Sequence, residues 1–466
     1  MKILTGIIRV SHAILLLVSI ACYALPSHAA IDSDTTSIGS GQPPNIVIIM
    51  ADDLGYGDLS SYEGWIQTPF IDRLAEEGMR FTDFHSSGVV CSPTRAGLMT
   101  GRYQQRASIP GVIFADPTRE EHFHGLQSQE LTFAELFQEQ GYTTGIFGKW
   151  HLGYLRKYNP VHQGFGEFRG YVSGNIDYIS HVDQAGNRDW WKGNQLFFEE
   201  GYSTHLITKH AVRFIEENKN KPFCLYVAHE APHSPFQGPD DPSDRIPGGT
   251  FDVRGSRDDR KEAYREMVQE MDKGIGQIVE TLRRLGLDRQ TFVIFFSDNG
   301  AGYGSNEPLR GSKGQVWEGG HRVPAIAWWP GHIESGQVTD QLAISLDVFP
   351  TILDVAGIKS PAGHLLDGRS LLPVLTKGAS LEERTLFWQH GNQLAMRRGP
   401  WKLVHNAPGL EDEGTGEQGK VGLFNLQNDI SESGNQAADH PNRVKTMLQA
   451  LRTWEDEVTK NATPQP

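Results

Sequence analysis

The chain has 466 residues, of which 38% are hydrophobic and 10% aromatic, so it carries enough apolar surface for a large packed core. This composition excludes a mainly disordered protein. The formal net charge of −14 is unfavourable for contact with nucleic acid or anionic membrane, so we expect neither as a partner. An anionic substrate would therefore need a local cationic pocket.

The first thirty residues have the pattern of a secretory signal peptide. Lys2 and Arg9 precede the apolar run 13–25, and small residues follow this run. The run is well short of the roughly 20 residues that a membrane-spanning helix needs. The pattern predicts that residues 1–30 direct export and are then removed. The mature protein is expected in the periplasm or outside the cell, without a membrane span.

The cysteines fit an exported protein that has no disulfide framework. Removal of the signal peptide takes away Cys22 and leaves only Cys91 and Cys224. Ser19 stands where a lipoprotein signal carries an aliphatic residue, which argues against a lipid anchor on Cys22. Cys224 lies in an apolar, strand-like run and is expected to be buried and inert.

Strand and helix patterns alternate after a linker at residues 31–43. The continuous apolar run 45–50 is typical of a central parallel strand that is covered on both faces. The patterns that follow predict a short helix from Pro69 to Gly78, helices at 131–140, 204–218, 258–285 and 345–356, and strands at 143–147, 222–228, 291–297 and 323–329. This order predicts an α/β fold with a large, mostly parallel sheet between layers of helices.

The pattern changes near residue 375. Closely spaced short strands and one final helix are predicted at 384–389, 394–397, 401–405, 421–426 and 441–458. They predict a small antiparallel sheet with a packed helix. We therefore expect a large domain at residues 44–375 and a C-terminal α+β subdomain at residues 376–466.

Polar pairs follow two of the predicted strands. Asp52 and Asp53 come after the first strand, and Asp298 and Asn299 come after the strand at 291–297. Either pair alone would also fit a turn or a helix cap. Open α/β sheets place their sites at the carboxyl ends of strands, where both pairs would meet. These side chains offer oxygen ligands, which predicts a hard cation, Ca²⁺ first and Mg²⁺ as the alternative.

The stretch Cys-Ser-Pro-Thr-Arg-Ala-Gly-Leu-Met-Thr-Gly-Arg at 91–102 resembles the signature of the type I sulfatase family. Further stretches resemble family motifs in the family order: 51–58, 148–153, 231–235, 297–300 and 311–324. The resemblance runs from about residue 44 to 360 and continues more weakly into the C-terminal subdomain. It implies an alkaline phosphatase-like fold and hydrolysis of sulfate esters.

The same resemblance implies a modified residue at position 91. In the family, a maturation enzyme oxidises this cysteine to formylglycine, whose hydrate lies on the metal and supplies the nucleophilic hydroxyl. Cys91 would thus be both a catalytic residue and a metal ligand, together with the two polar pairs. Arg95, one helical turn further on, would hold that hydroxyl in place.

Four more residues receive catalytic roles from the resemblance. Lys149, His151 and Lys313 would donate to the sulfate oxygens and hold their charge through the transition state. His233 is the candidate acid for the leaving oxygen, with Lys313 assisting. His151 is the candidate base that removes the second hydroxyl proton, so that sulfate leaves and the aldehyde reforms.

The long irregular segment 154–200 is the predicted substrate-binding region. Its candidate residues are Asp177, Tyr178, His181, Asp183, Trp190 and Trp191. Hydrogen-bonding groups beside flat rings suit sugars, although each indole could instead pack onto the core. Residues 170–178 resemble family members that act on sulfated galactose or N-acetylgalactosamine, which implies a sulfated saccharide substrate.

Two alternatives stay open at the level of sequence. One is a phosphoester or phosphonate hydrolase of the same superfamily, which relative activity on aryl sulfate and aryl phosphate would distinguish. The other is a binding protein for sulfated glycans in which Cys91 is never modified.

Overall fold

The computed structural model of the protein describes residues 42–249, 252–411 and 420–465, so the predicted signal peptide and nearly all of the predicted linker lie outside it. The strands in the described residues are β1 (Asn45–Ala51), β2 (Met79–Phe81), β3 (Phe84–His85), β4 (Thr143–Lys149), β5 (Glu167–Tyr171), β6 (Trp191–Lys192), β7 (Gln195–Leu196), β8 (Phe223–Ala228), β9 (Thr291–Ser297), β10 (Ala325–Trp328), β11 (Gln337–Thr339), β12 (Ala343–Ile344), β13 (Thr385–His390), β14 (Gln393–Arg398), β15 (Trp401–His405) and β16 (Val421–Asn425). The helices are α1 (Pro69–Glu77), α2 (Cys91–Thr100), α3 (Phe133–Glu139), α4 (Ser203–Glu217), α5 (Arg260–Arg284), α6 (Glu318–His321), α7 (Val348–Ala356), α8 (Leu372–Lys377) and α9 (Pro441–Lys460).

Ten strands form one mixed sheet in the order β11-β2-β10-β9-β1-β8-β4-β5-β6-β7. The central strands β9, β1, β8, β4 and β5 are parallel, whereas β10, β6 and β7 each run antiparallel to a neighbour. This arrangement confirms the predicted large, mostly parallel sheet. Its carboxyl edge gathers the ends of β1, β4, β8 and β9.

The two faces of the sheet are covered by separate apolar clusters. Ile46, Ile48 and Met50 of β1 face one cluster, which includes side chains of α2, α3 and α7. Val47 and Ile49 face the other cluster, which includes side chains of α1, α4 and α5. Each buried aliphatic side chain contributes about 1.5–3 kcal/mol, so β1 is held in place from both sides. The loops that follow it are thereby anchored to a rigid base.

Strands β13 to β16 form a separate antiparallel sheet, as predicted, and α9 packs against β14 and β15. Helix α8 crosses the expected domain boundary at 375/376, and Leu375 packs into the core beside α7. The exact boundary therefore stays a prediction. Within the described part of the chain, we find no helix that combines the length and apolar character needed to span a bilayer.

A buried network of charges joins the small sheet to the large domain. Lys402 of β15 is fully buried, and its Nζ lies 3.0 Å from Glu318 Oε1 and 2.9 Å from Glu432 Oε1. Arg397 of β14 makes two hydrogen bonds of 2.6 and 2.7 Å with the carboxylate of Asp83. Although burial raises the pKa of Glu318, Lys402 and other cations hold it well below its usual value. The network therefore couples both β14 and β15 to the loops of the large domain.

The same network brings three side chains with metal-binding groups together, His85, Glu318 and His321. Lys402 Nζ lies 3.1 Å from His321 Nε2 as well as 3.0 Å from Glu318 Oε1. The ammonium group thus occupies the position that a cation would need. Burial and Lys402 hold the pKa of His321 well below its usual value, which keeps the ring neutral beside this charge. We assign this cluster a structural role.

Replacing Lys402 with methionine is expected to lower the free energy of unfolding by about 3–5 kcal/mol, because Glu432 then stays buried without its counter-ion. Glu318 loses one of its cations and keeps Arg322 and Arg397. The matched control is Arg398→Met in the same sheet, since Arg398 pairs with Glu383 in solvent and such pairs contribute about 0–1 kcal/mol. Chemical denaturation measures both. Equal stability losses in the two variants would contradict the role of the network.

Candidate active site

The predicted polar pairs meet at the carboxyl edge of the large sheet. Asp52 and Asp298 are fully buried, and Asp298 Oδ1 accepts a 3.1 Å hydrogen bond from the backbone N–H of Asp53. Asp53 has a φ of +67°, an uncommon conformation that turns the chain sharply away from β1. Asn299 Nδ2 donates to Asp53 Oδ1 at 2.7 Å. The two strand ends are therefore bonded to each other.

Cys91 lies against this carboxylate cluster at the first residue of α2. Its Sγ is 3.4 Å from Asp52 Oδ1 and 3.4 Å from Lys313 Nζ. Burial raises the pKa of the Cys91 thiol to about 12, although Lys149 and Lys313 act in the opposite direction. The unmodified side chain is thus a neutral thiol at neutral pH, a poor nucleophile placed at the centre of the cluster.

Acidic and basic side chains balance each other in the cluster: Asp52, Asp53 and Asp298 against Arg95, Lys149 and Lys313. Lys149 Nζ lies 2.5 Å from Asp52 Oδ2, and Lys313 Nζ lies 2.6 Å from Asp53 Oδ1. A divalent cation would leave this set with two positive charges. Such a surplus matches an anionic sulfate group on a protein that is acidic as a whole.

Arg95 is turned towards the carboxylates. Its Nη2 donates to Asp298 Oδ2 at 3.0 Å, and its Nη1 donates to the backbone oxygen of Lys149 at 3.1 Å. Among the described residues we find no hydrogen bond from Arg95 to Cys91. The side chain therefore positions Asp298 and the end of β4, whereas the sequence analysis had it hold the residue at position 91.

The donor set fits a hard cation. Ligand atoms of Asp52, Asp53, Cys91 and His233 lie within 4.8 Å of one another. Asn299 Oδ1 is buried and has no hydrogen-bond partner, which is costly unless a cation or a donor reaches it. Burial and the nearby Asp52 raise the pKa of Asp298 to about 6, although Arg95 and Lys149 act in the opposite direction. All of these metal-ligand candidates except His233 are also predicted as ligands from the sequence.

The two candidate catalytic histidines, His151 and His233, are neutral and carry their ring proton on different nitrogens. His151 Nε2 lies 2.9 Å from the backbone oxygen of Ile113, so it carries the ring proton and leaves the buried Nδ1 as a free acceptor. His233 Nδ1 lies 2.7 Å from the backbone oxygen of Ser234, so its proton is there and Nε2 faces Asp53 at 3.6 Å with a lone pair. Burial, with Lys313 nearby, lowers the pKa of His233 to about 3.

This tautomer of His233 changes its expected role. A general acid must carry a proton on the atom that faces the leaving oxygen. The proton of His233 instead bonds a backbone carbonyl, and the free lone pair points towards the carboxylates. Lys313 Nζ carries protons 3.4 Å from Cys91 Sγ, and the identity of the acid stays a prediction.

A cavity of about 210 Å³ opens beside the cluster, and Asp53, His233 and Lys313 line it. Two further lining residues, Arg254 and Tyr303, were missed by the sequence analysis. Tyr303 lies three residues after the Asp-Asn-Gly turn that follows β9. Its closeness in sequence to the predicted ligands Asp298 and Asn299 could have marked it as a residue of the site. Arg254 lies in a polar loop without periodicity, and no local pattern marks it.

The predicted substrate-binding side chains lie in the body of the protein. The fully buried Asp177 carboxylate accepts from the backbone N–H groups of Ser180 and Arg245, at 2.7 and 2.9 Å. Tyr178 is also buried, and its hydroxyl donates to the backbone oxygen of His233. Asp183 caps its own turn through the N–H groups of residues 185 and 187. These three side chains support the segment, because the buried backbone donors and acceptors need partners.

The two indoles are packed as well. Trp190 is 2% exposed and stacks on His181 with ring centroids 4.6 Å apart. Trp191 is 9% exposed and donates from Nε1 to Asp189 Oδ1 at 2.6 Å. Their placement agrees with the alternative that they pack the segment onto the core. The expectation that the substrate-binding candidates are open to a substrate at the catalytic cluster is thus not met by these buried side chains: Asp177, His181, Trp190 and Trp191.

Known proteins are similar to this chain in sequence. A sequence model of the Sulfatase family matches residues 44–358, and one described as N-sulphoglucosamine sulphohydrolase, C-terminal, matches residues 312–405. N-acetylgalactosamine-6-sulfatase of Mus musculus is 38% identical over 393 residues, which cover 78% of this chain and 72% of that protein. Arylsulfatase A of Homo sapiens is 33% identical over 384 residues, which cover 74% of this chain and 70% of that protein.

Solved structures share the fold. The crystal structure of Ps i-CgsB in complex with k-i-k-neocarrahexaose has a TM-score of 0.78 and 30% identity, and the match covers 91% of this chain and 95% of that one. PsFucS1 sulfatase from Pseudoalteromonas sp. has a TM-score of 0.72 at 24% identity, covering 91% and 92%. These likenesses confirm the expected fold class. On the strength of the family match over more than half of its length, the chain belongs to the sulfatase family and is a sulfuric ester hydrolase.

Proposed function

We propose that this protein removes sulfate from a sulfated saccharide, using a formylglycine formed from Cys91 and a Ca²⁺ ion. The observation that carries the proposal is the position of Cys91 Sγ, 3.4 Å from both a ligand-type carboxylate and the Lys313 ammonium. A neutral thiol is a poor nucleophile at such a point, whereas a hydrated aldehyde supplies one hydroxyl to attack sulfur and a second to expel sulfate.

We propose that Asp52, Asp53, Asp298 and Asn299 hold the cation, with residue 91 completing the site. The unpartnered Asn299 Oδ1 and the crowded carboxylates support this set. Bound Ca²⁺ would supply positive charge for the nucleophile and the sulfate oxygens. Mg²⁺ is the alternative, since it also prefers oxygen ligands.

The side chains around residue 91 support separate catalytic roles. Lys149 and Lys313 hold the sulfate oxygens, and Lys313 also gives a proton to the leaving alcohol oxygen. His151 accepts the hydroxyl proton at its free Nδ1, because its Nε2 proton is committed to Ile113. His233 contributes a lone pair at Nε2 on the side of Asp53, and Arg95 fixes Asp298.

The saccharide class is supported by relatives and not by the buried residues of segment 154–200. The mouse relative is named an N-acetylgalactosamine-6-sulfatase, and Ps i-CgsB was solved with a hexasaccharide. We propose a sulfated galactose or N-acetylgalactosamine unit as the group that carries the ester. Specificity would then come from the residues lining the 210 Å³ cavity, Arg254 and Tyr303 among them.

We further propose that the protein acts outside the cytoplasm after residues 1–30 are removed, and that a formylglycine-generating enzyme of the host modifies Cys91. N-terminal sequencing of protein from the native host tests the first part. A mature chain that still begins with the charged and apolar segment would contradict export through this signal.

The substrate class is tested with purified enzyme, a panel of sulfated galactose and N-acetylgalactosamine oligosaccharides, an aryl sulfate and an aryl phosphate. We expect sulfate release from at least one oligosaccharide with kcat/KM about tenfold or more above the aryl sulfate, because remote sugar contacts add binding energy. Ion chromatography measures free sulfate, and the Cys91→Ala protein is the control. Efficient turnover of the aryl sulfate alone contradicts the saccharide proposal. Preference for the aryl phosphate would favour a phosphoester hydrolase.

A further inference from the structure

The outer edge of the large sheet carries three consecutive exposed apolar side chains. Leu196 ends β7, and Phe197 and Phe198 follow it. The three side chains are 54%, 41% and 74% exposed. Burial of such a side chain is worth about 1.5–3 kcal/mol, so its exposure forgoes stability that packing would supply. Because the three side chains are contiguous, this edge is a candidate binding surface.

Basic side chains surround these rings. The guanidinium of Arg169 and the ammonium of Lys192 lie 5.3 and 5.8 Å from the ring centroid of Phe197. The guanidinium of Arg188 lies 5.9 Å from the ring of Phe198. Within the described part of the chain, neither Arg188 nor Lys192 has a carboxylate within ion-pair distance. We call the set Arg169, Arg188, Lys192 and residues 196–198 the aromatic–basic patch.

The patch borders a concave site. A cavity of about 230 Å³ lies beneath residues 196–198, and Ser180, His181, Arg188 and Trp190 form its walls. The Ser180 hydroxyl has no hydrogen-bond partner among the described residues. The stacked pair of His181 and Trp190 provides a rigid wall. The predicted aromatic segment therefore does build a pocket, although away from the catalytic cluster.

The patch is separated from the catalytic cluster by the width of the sheet. β7 is the outermost strand, five strand spacings from β1, whose end carries Asp52 and Asp53. With neighbouring strands roughly 4.8 Å apart, the two places lie about 24 Å apart across the sheet. A ligand at the patch is thus a second point of contact, distinct from the ester being cleaved.

We propose that the aromatic–basic patch binds a segment of a sulfated glycan chain at a distance from the cleaved ester. Sulfate groups would pair with Arg188 and Lys192, whereas Arg169 already lies 3.8 Å from Glu167. The apolar faces of sugar rings would pack on Phe197 and Phe198. Unpaired cations on a protein of net charge −14 give the patch the complementary charge for a polyanion. The proposal rests on the proposed function, which makes a sulfated saccharide the ligand that this protein meets.

The consequence is a difference between long and short substrates. A polymer held at the patch presents its ester groups at a raised effective concentration, whereas a single sulfated sugar gains nothing from it. Loss of the patch should therefore raise KM for the polymer without changing kcat for the polymer. For a sulfated monosaccharide, neither KM nor kcat should change.

The test is the double variant Arg188→Ala/Phe198→Ala, compared with the matched control Phe70→Ala/Arg73→Ala on α1, where an exposed phenylalanine and arginine also lie close together. Binding is measured by affinity electrophoresis in gels that contain carrageenan, chondroitin sulfate or unsulfated agarose. The Cys91→Ala background removes turnover. We expect affinity for one sulfated polymer to fall about tenfold or more, since charge-assisted and stacking contacts are lost, and the control to bind like wild type.

Each other result overturns the proposal. Unchanged affinity in the double variant removes the patch from glycan binding, and equal binding to the unsulfated polymer removes the role of the cations. Binding to anionic lipid vesicles without glycan binding would make the patch a membrane surface. A dimer that the double variant abolishes, again without glycan binding, would make it a subunit interface. Because binding is read without turnover, a failure of the sulfatase proposal is seen separately.

Discussion

Replacing Cys91 with alanine is expected to lower kcat for sulfate release at least about 10⁴-fold while the protein stays folded. In the proposed mechanism the nucleophile is formed from this side chain, and alanine cannot supply it. The change only shortens a side chain that packs against the Asp52 carboxylate and Lys313. Initial rates with a sulfated oligosaccharide measure the loss of activity, and a thermal unfolding curve shows whether the variant is folded.

Cys224→Ala is the matched control, because Cys224 is equally buried but lies within β8 with apolar neighbours. We expect this variant to keep full activity. Cys91→Ser should be as inactive as the alanine variant in a host whose maturation enzyme accepts only cysteine, since an unmodified serine would remain sulfated after one turnover. A Cys91→Ala protein with more than a tenth of wild-type activity would refute the assignment of the nucleophile.

Exhaustive chelation is the second change with a large expected effect. It should abolish turnover and lower the unfolding temperature, because the native state would lose the stabilisation that a cation bound by Asp52, Asp53 and Asp298 supplies. An ion present at about 100 times its Kd stabilises the native state by about 2.7 kcal/mol, and that contribution disappears with it. Ca²⁺ should restore both activity and stability.

The control for chelation is the same chelator saturated with Ca²⁺, which must leave the enzyme unaffected. Asp53→Ala should lack the calcium-dependent rise in unfolding temperature, because one proposed ligand is gone. Elemental analysis confirms that the treated protein is free of metal. Full activity in such a metal-free sample contradicts the site, and equal rescue by Mg²⁺ at lower concentration would assign the site to magnesium instead.

The centre of the fold was predictable because its patterns are local. β1 and β9 are continuous apolar runs, which are typical of strands buried on both faces. Because parallel strands end at the same edge of a sheet, the polar pairs that follow these two strands were expected to meet there. Helix α5 was visible in its apolar face. The position of Asp52, Asp53, Asp298 and Asn299 at one edge of the sheet therefore follows from the sequence alone.

The edge of the sheet was not predictable in the same way. β6 and β7 are two-residue strands, and they exist because β5 offers a pairing edge and not because of their own composition. The burial of Trp191 depends on Asp189, which accepts its indole proton. Such partners depend on non-local packing, so the sequence suggested an open sugar platform where the structure has a packed segment.

The tautomers of the histidines also required the structure. The direction of the His233 proton depends on the backbone oxygen of Ser234, and that of His151 on the backbone oxygen of Ile113. A motif names the ring but not the atom that carries its proton. Lys313 became the better candidate acid only when its distance to Cys91 was known.

The mass of the tryptic peptide 81–95 tests the central claim most directly, because trypsin cuts after Arg80 and Arg95 and leaves Cys91 as the only cysteine in the fragment. The protein is taken from the native host with its sulfatase activity measured on the same sample. We predict that position 91 carries an aldehyde, which reacts with a hydrazide and resists alkylation by iodoacetamide. An intact thiol, fully alkylated in a sample that turns over sulfate esters, would contradict the account.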